Sequence, residues 1–158
     1  MSLKRLLKEK RLIEKELSGY SESIELLEPV AFENFLKWRA VLKGPVNTPY
    51  HKHSFKLLIE LPSEYPLVPP AITFEPYSMP HCNVEFSTGK ICLNILEHEH
   101  WSPVWNLMYV MVALYQLLQE PVVDSPLNID LANILRAGDT SAYHGLINYY
   151  LQEDTATH

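Results

Sequence analysis

Four short strand candidates follow one another in this chain, and the connections between them are too short for parallel crossovers. Ile24 to Glu28 stops at Pro29. Phe35 to Lys43 alternates partly and ends at Gly44-Pro45. Ser54 to Leu61 stops at Pro62, and Ala71 to Phe74 follows. Parallel neighbours need a dozen or more connecting residues, so this spacing predicts an antiparallel meander. Glycine is scarce at 5 and proline frequent at 12, which makes the corners stiff rather than loose.

Helical patterns flank the strands. Leu3, Leu6, Ile13 and Leu17 recur at helical spacing, with Leu7 and Leu12 widening the stripe, so an amphipathic helix is predicted over roughly residues 2–17, ending near Gly19. Three helices close the chain. Leu107, Met111, Leu114 and Leu118 mark the first, which stops at Pro121 and starts at one of two caps, Ser102 with Pro103 behind it or Asn106. Asn128 can cap the second, with Leu131, Ile134 and Leu135 inside and Gly138 beyond its end. Asp139 can cap the third, whose face is Tyr143, Leu146, Ile147, Tyr150 and Leu151. The expectation is one α+β domain over residues 1–158, with an N-terminal helix, a four-stranded antiparallel meander, an irregular stretch and three C-terminal helices.

Net charge is -6, which disfavours a general nucleic-acid binder. The charge is uneven. Lys4, Arg5, Lys8, Lys10, Arg11 and Lys15 outnumber Glu9, Glu14 and Glu16, giving +3 (6 minus 3) on residues 1–17 and -9 (-6 minus 3) on the rest. A basic helix on an acidic body can dock an acidic partner; a solvated helix face is the plainer account. The 2 cysteines, Cys82 and Cys92, do not make a disulfide-rich scaffold. Early lysines break any signal-peptide core, and the most apolar stretch, Val104 to Leu118, is too short to span a bilayer. Ser2 and the final Ala-Thr-His offer no lipidation or peroxisomal import signal, so the expected location is reducing and cytosol-facing.

Generic searches for chemistry return little. No Gly-rich phosphate loop is present, and no cofactor is implied. His51-Lys52-His53 and His98-Glu99-His100 lack further ligands at metal-binding spacing and are read as solvated loop histidines, so no metal site is expected. The aperiodic stretch 75–104 holds both cysteines, and such long irregular segments are usually functional. In Thr88-Gly89-Lys90-Ile91-Cys92-Leu93-Asn94, a cysteine follows a turn amid apolar residues. It reads either as a buried structural thiol or as a nucleophile, and on the residues alone the structural thiol is the plainer account.

Several segments together resemble the ubiquitin-conjugating enzyme family. They are Leu36-Lys37-Trp38 leading to Gly44-Pro45 and Thr48-Pro49-Tyr50; Pro62-Ser63-Glu64-Tyr65-Pro66 leading to Pro69-Pro70; His81-Cys82-Asn83 before Gly89-Lys90-Ile91-Cys92-Leu93; Trp101-Ser102-Pro103; and Asp124-Ser125-Pro126-Leu127. Their order and spacing match over nearly the whole chain. The match also favours Asn106 as the helix cap, with Trp101-Ser102-Pro103 in a surface loop. Cys82 stands where the family usually has proline, and the run from Asn83 to Cys92 is one residue longer than usual. Both departures are similar to the peroxisomal members of the family, as are Leu93-Asn94-Ile95-Leu96 and Pro103-Val104-Trp105.

The resemblance implies a mechanism and partners. Cys92 would carry ubiquitin as a thioester, received from a ubiquitin-activating enzyme and passed to a lysine or another thiol. Asn83 would donate to the developing oxyanion or else hold the loop in shape. Ser125, with Asp124 adjacent, would meet the incoming lysine, and both also suit a capping turn before Pro126. Lys4, Arg5 and Lys8 fit the face that meets the activating enzyme. RING-type ligases would grip the first helix, the loop of Leu67 and the loop of Ser102, Pro103 and Val104. The peroxisomal likeness adds ligases of the peroxisomal membrane, an import-receptor substrate and a membrane-anchored tether, which together place the chain peripherally on the organelle's cytosolic face. Competing readings are a non-catalytic binding module with the same fold, a cysteine hydrolase with a histidine base, and a conjugating enzyme for another ubiquitin-like modifier.

Overall fold

The computed structural model describes residues 3–156, with side chains described as far as residue 152; Ser2 and the final Thr157-His158 lie outside. Helix α1 (Leu3–Glu16) leads into a short 3₁₀ turn at Leu17–Tyr20. Strands β1 (Ile24–Ala31), β2 (Asn34–Lys43), β3 (Ser54–Glu60) and β4 (Ala71–Phe74) form one antiparallel sheet in the order β1-β2-β3-β4. Helices α2 (Leu107–Gln119), α3 (Ile129–Arg136) and α4 (Thr140–Ala156) complete the chain.

The sheet is a meander because every connection is short, as the spacing required. Strand β3 buries alternate residues, Phe55, Leu57 and Ile59, and exposes those between them. Trp38, Ala40 and Leu42 on β2 and Ile72 and Phe74 on β4 line the same core. Helix α2 adds Leu107, Val110, Met111, Leu114 and Leu118, and α4 adds Tyr143, Ile147 and Leu151. Burial of this kind supplies most of the folding free energy at about 25 cal/mol per Å² of apolar surface.

One boundary differs from expectation. The first strand does not stop at Pro29 but runs through it to Ala31, with Pro29 opposite Trp38 and a register shift just beyond. Strand β1 lies at the sheet edge, where the missing proline N–H breaks no inner ladder. The caps fall where side-chain chemistry places them. Asn106 accepts from the Tyr109 N–H at 2.9 Å, Asn128 from the Leu131 N–H at 3.2 Å, and Asp139 from the Ala142 N–H at 3.0 Å. Ser102 is not the cap of α2.

The face of α1 holds a residue outside the apolar stripe. Glu9 is only 3 % exposed, in phase with the buried Leu6 and Ile13. One carboxylate oxygen accepts the Leu107 N–H at 2.8 Å; the other accepts the Tyr65 hydroxyl at 2.6 Å and Arg5 Nε at 3.2 Å. A buried charge is tolerable only with such partners. Here it also meets the positive N-terminal end of α2. Glu9 therefore ties α1, the loop of Tyr65 and the start of α2 into one joint.

Candidate active site

The irregular stretch is a chain of tight turns hung on the sheet. The Gly89 carbonyl accepts the Phe74 N–H at 2.9 Å, and Thr73 bridges to Lys90. At Gly89, φ is +79° and a Cβ would fall 1.8 Å from the Phe74 carbonyl oxygen, so only glycine fits. Val84 then bridges antiparallel to Ile91, and the Cys92 N–H donates to the Asn83 carbonyl at 2.8 Å. The long separation between Asn83 and Cys92 is thereby closed as a small hairpin, with the turn taking up its length. Asn83 and Cys92 stand side by side at its open end.

The two cysteines differ sharply. Cys92 is half-buried, while Cys82 is fully buried. The Cys82 thiol sits 3.3 Å from the Asn83 side-chain oxygen and 3.8 Å from the Val122 carbonyl. Burial pushes its pKa up to about 11, against a smaller opposing pull from Arg136, so it stays a neutral thiol. A nucleophile needs a thiolate and an open approach. Cys82 has neither.

His81 is equally removed from chemistry. Its Nε2–H donates to the Leu117 carbonyl at 2.8 Å, and its Nδ1 accepts the Asn83 N–H at 3.0 Å. Burial lowers its pKa to about 4, so the ring is neutral at physiological pH and both nitrogens are engaged. It cannot serve Cys92 as a base. His81 therefore does not supply the base that the hydrolase reading needs.

Asn83 is buried, and its side chain is fully engaged. Its Oδ1 accepts the Val122 N–H at 2.8 Å; its Nδ2 donates to the Val122 carbonyl at 2.7 Å and the Ser125 carbonyl at 3.3 Å. An amide has two donor hydrogens, and both have partners here. The arrangement pins the segment from Val122 to Ser125 to the residue that also holds the Cys92 backbone. Asp124 and Ser125 are exposed on that pinned segment, so Asn83 bonds both the Cys92 backbone and the segment that carries them.

The predicted docking residues form a second group. Leu67 is 72 % exposed and Val104 80 % exposed, and Pro103 is exposed beside the half-buried Ser102. Their loops are linked, since Trp101 Nε1 donates to the Pro66 carbonyl at 2.7 Å. Lys4 and Lys8 are exposed on α1. Arg5 is differently placed: besides Glu9, its guanidinium reaches the carbonyls of Pro103 at 2.9 Å and Trp105 at 2.6 Å. It braces the 101–106 loop against α1. The sequence reading missed Glu9 and this inward use of Arg5, although the phase of Glu9 with Leu6 and Ile13 was a usable signal. It also missed Arg136, which no local pattern marks. Among the described residues, no group of three or more His, Cys, Asp or Glu side chains could hold a metal ion.

Comparison with known proteins agrees with this geometry. The family model described as ubiquitin-conjugating enzyme matches residues 5–150. The ubiquitin-conjugating enzyme E2-21 kDa of Saccharomyces cerevisiae is 46% identical over 158 residues, covering 96% of this chain and 86% of that protein. Protein PEROXIN-4 of Arabidopsis thaliana is 44% identical over 117 residues, covering 74% of this chain and 73% of its own. Among solved structures, the H. polymorpha ubiquitin conjugating enzyme Pex4p, in complex with the soluble domain of Pex22p, superposes with a TM-score of 0.88 at 40% identity, covering 94% of this chain and 95% of that one. The four-stranded meander flanked by one helix and three, a match over nearly the whole length and these identities lead to one conclusion: the chain belongs to the ubiquitin-conjugating enzyme family and is a transferase.

Proposed function

We propose that Cys92 accepts the C-terminal carboxyl of ubiquitin as a thioester from the activating enzyme, and that the whole chain acts as one catalytic domain. The observation that carries this reading is the contrast in burial between the two thiols, with Cys92 half-buried beside Asn83 and Cys82 buried at 0 % exposure. In transfer, a lysine nitrogen bonds to the thioester carbonyl carbon, the C–S bond breaks, and its electron pair leaves on the Cys92 sulfur. The nitrogen's proton needs an acceptor. Of Asp124 and Ser125, only the Asp124 carboxylate can take it, and the Ser125 hydroxyl can orient the amine. Asn83 serves by fixing the segment that bears them.

Lys4, Lys8 and the brace at Arg5 present α1 to the activating enzyme. The exposed Leu67, Pro103 and Val104, with Ser102, offer small apolar anchors to a RING-type ligase. The likeness to proteins named peroxin-4 and to a Pex4p bound to Pex22p supports a peroxisomal setting. There the chain works at the cytosolic face of the membrane, held by a membrane-anchored tether, with peroxisomal ligases and an import receptor as substrate. No described helix is long and apolar enough to cross a membrane, which fits recruitment by a partner. Tethering raises the local concentration of enzyme near ligase and substrate.

Charging purified protein with activating enzyme, ATP and ubiquitin tests the chemistry; one reductant-sensitive adduct is expected. Fractionation tests the setting. The protein should pellet with peroxisomes and become cytosolic when one membrane protein is deleted. Binding of the purified protein to bare liposomes contradicts the tether.

A further inference from the structure

The segment Val122–Ser125 lies in neither helix nor strand, yet it bears Asp124 and Ser125, the residues read above as meeting the incoming amine. Its backbone must be held by something other than a ladder. Asn83 holds both backbone groups of Val122 and the carbonyl of Ser125. The Val123 carbonyl, the group immediately before Asp124, has a different partner. Arg136, the last residue of α3, donates to it through one guanidinium nitrogen and reaches the Asn133 side-chain oxygen at 3.4 Å with another. The start of the same helix is also fixed. The Leu127 and Asn128 N–H groups both donate to the Cys82 carbonyl, at 2.8 and 3.0 Å.

The segment is thus closed as a loop. Asn83 holds its two ends, the Cys82 carbonyl anchors the helix that follows, and the far end of that helix returns Arg136 to the middle. We propose that Arg136 is a positioning residue for transfer: it holds the Val123–Asp124 peptide so that Asp124 and Ser125 keep their place beside Cys92. This rests on the reading that Cys92 carries ubiquitin and that an amine arrives beside those residues. Without the Arg136 contact, the peptide between the Asn83 anchors is free to rotate. Loading has no use for Asp124, because the thiolate attacks directly. Transfer to an amine needs it, because the nitrogen must lose a proton as the C–N bond forms and the C–S bond breaks.

The two steps separate in the full-length protein. Wild type and Arg136→Ala are charged with activating enzyme, ATP and ubiquitin, then discharged in single turnover onto free lysine and onto hydroxylamine. Hydroxylamine is mostly unprotonated at neutral pH and needs little help from a base. Arg136→Ala should charge at the wild-type rate, discharge onto hydroxylamine at the wild-type rate, and discharge onto saturating lysine about tenfold more slowly, since small misplacements can cost up to about 100-fold. Arg136→Lys keeps the charge but not the fork, and should recover part of the loss. It carries the same comparison should the alanine variant melt early. Unchanged lysine discharge in both variants overturns the inference, and so does equal slowing on both nucleophiles. A wild type that never charges overturns the thioester reading itself; a wild type that charges and discharges beside an unaffected Arg136→Ala overturns only the role of Arg136.

Discussion

Glu9 and Asn83 are both buried polar side chains to which irregular chain is tied, but they hold it by different means. Glu9 is ionic. Its carboxylate gathers an arginine, a phenol and the first amide of a helix, joining α1 to α2 and to the loop of Tyr65. Asn83 is neutral and both donates and accepts. It holds a neighbouring loop by both backbone groups of one residue while its own carbonyl takes the Cys92 N–H. A charge suits a joint that must stay rigid, since removing one partner leaves a buried ion exposed to its full desolvation cost. A neutral amide suits a site where charge must appear on substrate.

Breaking the ionic joint should have the largest effect on stability. Glu9→Ala leaves the Leu107 amide and the Tyr65 hydroxyl without their acceptor and takes one of several partners from Arg5, and should lower the unfolding free energy by about 3 kcal/mol. Chemical denaturation at pH 7 measures it. The thioester should still form in the fraction that folds, because none of the atoms touching Glu9 belongs to the Cys92 neighbourhood. A loss under about 1 kcal/mol would mean the joint relaxes around the gap.

The neutral site has a different signature, in pH. His81 ionises at about 4 in the folded protein because burial opposes its charge. In the unfolded chain it ionises near 6.5. A depressed histidine pKa means the unfolded state binds the proton first. Its contribution is therefore complete above pH 6.5 and is lost progressively as pH falls toward 4, amounting to about 3 kcal/mol across that window. Melting temperature followed from pH 7 to 4 should fall steeply for wild type. His81→Gln, which does not titrate there, should show a shallower slope between those limits. Parallel slopes would deny that His81 is buried neutral.

Asn83→Ala sharpens the comparison in activity. If the amide acts by holding Val122 and Ser125, discharge onto lysine should slow by up to about 100-fold, the size a small misplacement can cost, while charging changes little. Equal loss in both steps would move Asn83 to a purely structural role like that of Glu9. The smallest effect belongs to Tyr65→Phe, which removes one hydrogen bond to Glu9 and should cost about 1 kcal/mol with no change in charging.

The sequence disclosed the periodic parts of this molecule and hid the joints. Alternation in Ser54–Glu60 and helical spacing in Leu107–Gln119 are visible because they repeat. Pro29 misled because a breaker's effect depends on whether its strand is at the edge, and that is a property of the sheet. Asn83, Asp124 and Ser125 were singled out only through the ordered resemblance, which also turned Cys92 from a cysteine after a turn into a candidate thioester carrier, since no period links residues so far apart. Arg136 and the Val123 carbonyl could not be found that way. A side chain that grips a backbone group leaves no trace in the identity of the residue it grips.

The central claim is that Cys92, and not Cys82, carries ubiquitin. The most direct test charges wild type, Cys92→Ala and Cys82→Ser with activating enzyme, ATP and ubiquitin, and weighs the intact products with and without thiol reductant. Wild type and Cys82→Ser should each gain the mass of one ubiquitin less one water, and lose it on reduction, while Cys92→Ala should gain nothing. A reductant-sensitive ubiquitin adduct on Cys92→Ala would contradict the account.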